Sequence, residues 1–247
     1  MRLKFKINPD YIFLHAINQS QSNIPFKEWK NLTNKIWEDS KEIFYFLGGY
    51  EEYGLYLKKS SDLNKLAKNT IKTLNRIRKT REFKRLIKET EQYKQFIEKQ
   101  WAKNGKKAFK ILEELSGIKL PDITIQVYLT HPKLKNGMVV DNQTIVWGHP
   151  EDWSNYSTVY LCHEIMHILT NLDHSDITHA VIELMIDNEL RIRLNNKGKY
   201  FQYPGHKHLR KLEKNILPEW KKYLKSSDKN IFNFIKDLKK KKATLLK

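Results

Sequence analysis

One stretch constrains this chain more than any other: Val159-Tyr160-Leu161-Cys162-His163-Glu164-Ile165-Met166-His167-Ile168-Leu169. Its apolar frame asks to be buried as a helix, yet three titratable side chains sit inside it. Histidines four apart lie on one helix face, one above the other. Two imidazoles so placed both reach one Zn²⁺ at about 2.0–2.1 Å. Glu164, one position along, does not join the same coordination plane, but it reaches a water on the metal. A carboxylate there takes that water's proton as the water attacks a carbonyl. With nine His and seventeen Glu among 247 residues, chance would produce the pattern in roughly one such chain in fifty. Its position after two expected strands sharpens it.

A catalytic zinc usually has three protein ligands and one open position, so two histidines leave the site incomplete. The next apolar run is Val181-Ile182-Glu183-Leu184-Met185-Ile186-Asp187. Glu183 and Asp187 share a helix face there, and carboxylates inside an apolar helix are costly unless paired or metal-bound. Glu183 is the expected third ligand, and Asp187 the acceptor for the free ring N–H of a ligand histidine, which fixes that ring's tautomer.

H-E-x-x-H followed on the next helix by E-x-x-x-D resembles the gluzincins, the thermolysin-like branch of the zincin metallopeptidases. The resemblance covers about residues 120–195. It implies zinc, an open water position and peptide substrates lying along the edge strand beside the motif helix. By matching positions it makes His163, His167 and Glu183 ligands, Glu164 the base and Asp187 the outer partner. The spacer between His167 and Glu183 is tighter than in thermolysin-like proteins. A rival ligand, Asp173, stands six residues after His167, where metzincin-like enzymes place a third His or Asp. Those enzymes need Gly three after the second His, and here that position is Thr170, without glycine's freedom. His174 is one position out of register.

A hydrolase also needs a group to stabilise the oxyanion. Tyr203 and His206, in the run Tyr203-Pro204-Gly205-His206, are the candidates placed to fold over the site. Tyr200, His208, Tyr156 and Tyr160 are alternatives, and each can equally be a packing or surface residue. Cys162 reads as a packed thiol, His149 as a loop residue, Trp147 and Trp153 as packing residues.

Around this centre the pattern reads as α+β: a zincin-like core of a small sheet, motif helix and ligand helix, with mainly helical N- and C-terminal parts. Met1 to Ile7 alternates as a strand, and residues 25–47 read as a helix between Pro25 and Gly48-Gly49. A charged helix, capped by Ser61-Asp62, runs to about Lys103 with the stripe Leu63, Leu66, Ile71, Leu74 and Ile77. Gly105 is expected to break it, and 106–116 to form another helix ended by Gly117. Ile123 to Thr130, Met138 to Val140 and Thr144 to Trp147 read as strands. Ser157 or Thr158 should cap the motif helix, which runs to about Thr170, and Thr178 to about Leu194 should form the ligand helix. The tail reads as helices at 207–225 and 230–239, then a solvated run, Lys239 to Lys242.

Charge divides the chain into 1–118, 119–195 and 196–247. Residues 119–193 carry five Lys or Arg against ten Asp or Glu, and residues 194–247 carry sixteen against four. An acidic middle, suited to a cation, thus lies between basic arms in a chain of net charge +18. Such arms suit weak binding of nucleic acid or another polyanion, and they equally suit solvated helix faces. Peptide or protein substrates are the expected partners, and no stretch approaches the roughly 18 apolar residues of a membrane span. The lone Cys162 excludes an intrachain disulfide, and the stretch Tyr11 to Ile17 does not read as a signal peptide, so a cytoplasmic location is expected. Two functions stay open: a zinc peptidase, and a non-catalytic or regulatory protein whose basic helical arms grip a partner. The intact Glu164 favours the first, since a purely structural metal site has no need of it.

Overall fold

The computed structural model describes residues 1–13, 34, 36–38, 60–203 and 205–241. The expected helix 25–47 with its Pro25 and Gly48-Gly49 boundaries lies outside them, save for helical positions 34 and 36–38. So do Leu14 to Ile17, Pro204 and Lys242.

Four strands form one sheet: β1 (Arg2–Ile7), β2 (Thr124–Leu129), β3 (Asn136–Asp141) and β4 (Thr144–Gly148). Their order is β1-β2-β4-β3. β1 pairs parallel with β2 from Arg2↔Thr124 to Ile7↔Leu129, and β2 parallel with β4. β3 runs antiparallel to β4 as one edge. β3 is longer than the expected Met138 to Val140 because pairing begins at Asn136, inside the stretch read as a turn. Its outward face leaves Met138 and Val140 exposed.

The helices are α1 (Ser60–Arg78), α2 (Arg81–Ser116), α3 (Tyr156–Leu169), α4 (Asp176–Ile182), a π-helical segment (Glu183–Leu190), α5 (Arg191–Asn195), α6 (Arg210–Lys225) and α7 (Ile231–Lys240). The expected break at Gly105 does not occur. α2 runs straight through it, because Gly105 serves as space: a Cβ there would fall 2.7 Å from the Trp101 ring. The break comes earlier, where Thr80 caps α2 by accepting from the Phe83 amide at 3.2 Å. In α1 the buried row is Leu66, Thr70, Leu74 and Ile77, while Ile71 points out at 59% exposure. The expected stripe put Ile71 inside; the spacing 66, 70, 74, 77 keeps one face, and Thr70 joins it by bonding the Leu66 carbonyl at 2.9 Å.

α3 is capped differently from expectation. Ser157 and Thr158 lie inside its first turn, and their amides bond Glu151 Oε1 and Gln100 Oε1, both at 3.0 Å. Distant side chains thus satisfy the free N-terminal amides, and Ser157 Oγ instead accepts from Trp147 Nε1 at 3.0 Å. Lys239 and Lys240 belong to α7 rather than to a loose run, and Lys239 pairs with Asp173. The protein is thus an α+β structure with a small mixed sheet. One hydrophobic core takes side chains from Tyr93 and Leu112 of α2, through the strands and α3, to Trp220 and Leu238 of the last helices. Among the described residues no helix is long and apolar enough to cross a membrane.

Candidate metal centre

α3 lies between the sheet, α2 and the π segment, so both its faces are covered. His163, Glu164 and His167 are 3%, 9% and 6% exposed. His163 Nε2 and His167 Nε2 stand 3.2 Å apart. That is close to the edge of a tetrahedron drawn around a zinc ion with N ligands, about 3.3 Å from the usual bond length. The Asp187 carboxylate accepts from His163 Nδ1 at 2.9 Å. In a neutral ring this leaves the lone pair on Nε2, aimed inward.

The structure adds a residue the motif reasoning overlooked. His179, on α4, brings a ring nitrogen within 4.8 Å of the ligand atoms of both His163 and His167. Among the described residues its Nε2 is buried with no hydrogen-bond partner, as is His167 Nδ1. Buried polar atoms are rarely left unpaired, so an unpaired nitrogen beside two other imidazoles fits a bound cation. Three imidazoles suit zinc. A signal was available: His179, Glu183, Asp187 and Arg191 follow one another at four-residue intervals, and the sequence reading entered that row only at Glu183.

Glu183 is 1% exposed and sits one turn beyond His179, its Oε1 3.9 Å from His179 Nε2. It belongs to a second convergent set with His179 and His206. His206 holds it twice, through Nδ1 at 2.5 Å and the backbone amide at 3.1 Å. Gly205 makes this approach feasible, since a Cβ there would fall 2.6 Å from Glu183 Oε2. Behind Glu183 lies Glu213, fully buried, its carboxyl pushed up to about 8 by burial and by the facing Glu183. Asp173 stands apart from both sets. It accepts from the Ser175 amide at 3.1 Å and the Thr178 hydroxyl at 2.6 Å, just before α4. His174 is exposed, its ring 5.7 Å from that of His167.

Electrostatics follow from this crowding. Burial, then the neighbouring histidines, hold His167 down to about 2 and His179 to about 3. Both rings are therefore neutral at ordinary pH, the form in which an imidazole can bind a metal. Burial also lowers His163, but the Asp187 carboxylate outweighs it and raises that ring to about 9. A metal ion bound at that ring would displace the proton. Burial raises Glu164 above the usual carboxylate range, the direction that suits a base working near neutrality.

Beside the three groups opens a cavity of about 410 Å³, lined by His163, Glu164, Gly137 of edge strand β3, Tyr160, Tyr203 and His206 among others. Tyr203 stacks on Trp153 with centroids 5.2 Å apart, and the His206 ring lies 6.4 Å from that of His163. Tyr160 packs 5.8 Å from the His163 ring and 6.0 Å from Trp147. Tyr200 faces away, donating to Glu189 at 2.5 Å, and Cys162 is a fully buried thiol pushed up to about 12 by burial. Compared with known protein families, with curated proteins and with solved structures, the chain matches none.

Proposed function

We propose that this chain is a zinc-dependent peptidase in which His163, His167 and His179 hold the metal, Glu183 stands as an adjoining ligand group, and Glu164 is the general base. The observation that carries the reading is the convergence of three buried ring nitrogens within 4.8 Å, with Glu164 lining the cavity beside them. The sheet, α3 and the helix bearing His179 and Glu183 are read as a zincin-like core. Zinc, when bound, supplies a Lewis acid that polarises a carbonyl and acidifies a water.

The chain's own residues supply the rest. Asp187 fixes the His163 ring and its tautomer. Glu164 takes one proton from the attacking water and returns it to the leaving nitrogen. A C–O bond forms and the C–N bond breaks, giving an amine and a carboxylic acid whose remaining proton passes to solvent. His206 and Tyr203, both on the cavity wall, are the donors proposed for the developing oxyanion. His206 is the first choice, since its bond to Glu183 holds the ring near His163. Edge strand β3, with Gly137 in the wall, offers unpaired backbone groups to an extended peptide.

The test is Glu164→Gln, nearly isosteric but unable to accept the proton. Zinc content should stay at one per chain while hydrolysis of casein-derived peptides falls by at least about a hundredfold. Activity within tenfold of the parent chain would sink the assignment of Glu164.

A further inference from the structure

A second cavity, of about 350 Å³, opens on the other side of the Trp153–Tyr203 stack. Two cations line it, Arg191 and Lys197, and no carboxylate does. Arg191 is 3% exposed. Its guanidinium donates to neutral acceptors: the Asp187 carbonyl at 2.7 Å, the Lys199 carbonyl at 2.8 Å and Gln202 Oε1 at 3.3 Å. Among the described residues no carboxylate pairs with it. The rings of Tyr203 and Trp153 flank it, 5.0 and 5.9 Å from the guanidinium carbon. Gly198, at φ +119°, closes the other side, where a Cβ would fall 2.7 Å from NH1.

A buried guanidinium with no carboxylate bonded to it is expensive. The Asp187 carboxylate acts on it only from a distance and is bonded to His163 instead, and the five guanidinium donors are not all used. The fork is held rigid from two sides, which is what bidentate recognition of a planar anion requires. Lys197, exposed at the rim, adds a second positive charge. Burial depresses the Arg191 basicity, and an anion would offset that cost.

We infer that the Arg191 cavity is a carboxylate-binding subsite, and that it receives the free C-terminal carboxylate of a peptide held in the neighbouring Glu164 cavity. The two cavities share Trp153 and Tyr203 as a common wall. Arg191 stands one turn beyond Asp187, the partner of His163. The chain would then trim residues from carboxyl ends. That role rests on the peptidase reading, whereas the carboxylate site does not.

The experiment uses the full chain, metal-free in chelator, titrated calorimetrically with acetyl-Ala-Phe and with its C-terminal amide. The acid should bind at least tenfold tighter. Arg191→Gln should bring the ratio near one. Lys197→Glu, a rim change that leaves the fold alone, should at least halve it, and it carries the test if Arg191→Gln does not fold. Equal binding of acid and amide to the parent chain would overturn the site, and so would a ratio that survives in both variants. Inorganic phosphate that binds while the acid does not would also overturn it, leaving a free-anion pocket instead. Zinc-loaded protein separates the two readings. Acid preference without cleavage of either peptide leaves the subsite and removes the peptidase, and equal cleavage without preference does the reverse.

Discussion

Replacing His179 by Ala and, separately, Glu183 by Gln divides two descriptions of the metal set that the structure places one helical turn apart. Zinc sites with four protein ligands in small peptides release about 10–16 kcal/mol on binding, or roughly 3 kcal/mol per ligand. At 1.4 kcal/mol per tenfold, losing one full ligand should weaken binding by roughly a hundredfold. His179 Nε2 has no other partner, so its removal should cost about that whole factor. Glu183 is already held by two bonds from His206, and its carboxylate works at one remove. Glu183→Gln should therefore weaken zinc by about tenfold, the low end for outer partners. Competition against a chromophoric zinc chelator measures both, with circular dichroism to verify folding. A larger loss in Glu183→Gln than in His179→Ala would refute the reasoning and restore Glu183 as the third ligand.

Asp187→Asn should keep the His163 contact but drop its charge, weakening zinc by about 10–100-fold in the same titration; an unchanged affinity would show that Asp187 does not tune the site. Burial works against ionisation of Asp173, but Lys239, Thr178 and the Ser175 amide outweigh it and hold the carboxyl well below the usual range. Its folded form thus binds protons less readily than its unfolded form, so its stabilisation is fully present above the ordinary carboxylate range and is lost progressively as pH falls from there down through the much lower folded value. Asp173→Asn should lower the melting temperature at pH 7 and lower it by clearly less at pH 2; an equal drop at both would exclude this linkage. Thr80→Ala should cost about 1 kcal/mol in urea unfolding by removing the α2 cap, and no change would mean that the cap contributes nothing. The basic segments should bind short DNA or RNA weakly, with affinity falling steeply between low and physiological salt; no mobility shift at low salt would leave them as solvated surface.

What the sequence discloses about this site depends on distance along the chain. His163, Glu164 and His167 are readable because one α-helical turn brings them together, and that geometry is local. The same holds for the outer role of Asp187, since its period matches the apolar face. His179 falls in that period too, but the reading sought an acidic third ligand and passed over a histidine. The pairing of β1 with β2 joins residues more than a hundred positions apart and leaves no local trace. Gly105 misled because glycine signals both a helix end and a place for a large neighbour, and only the position of Trp101 decides between them. The caps of α3 come from Gln100 and Glu151, so no residue at the helix start reveals them. Arg191 carries no local signal of its surroundings, because its burial depends on the loop at 198–202.

The π segment makes the spacing of this row behave as a ruler with an uneven scale. His179 lies in regular α-helix, Asp187 within the wider coil and Arg191 where the α-helix resumes, and the Asn188 side chain pins the wide turn by donating to the Glu183 carbonyl at 2.9 Å. Forcing the segment into α-helix at the same residue count would turn its two ends against each other, because a π turn holds more residues than an α turn. His179 would then no longer face His163 and His167 while Asp187 holds His163. A loop far from residues 198–206 can gain or lose residues at little cost to the centre, but residues 183–190 must keep both their number and their wide turn. A kindred chain would show the same count between its counterparts of His179 and Arg191 even where every apolar residue between them differed.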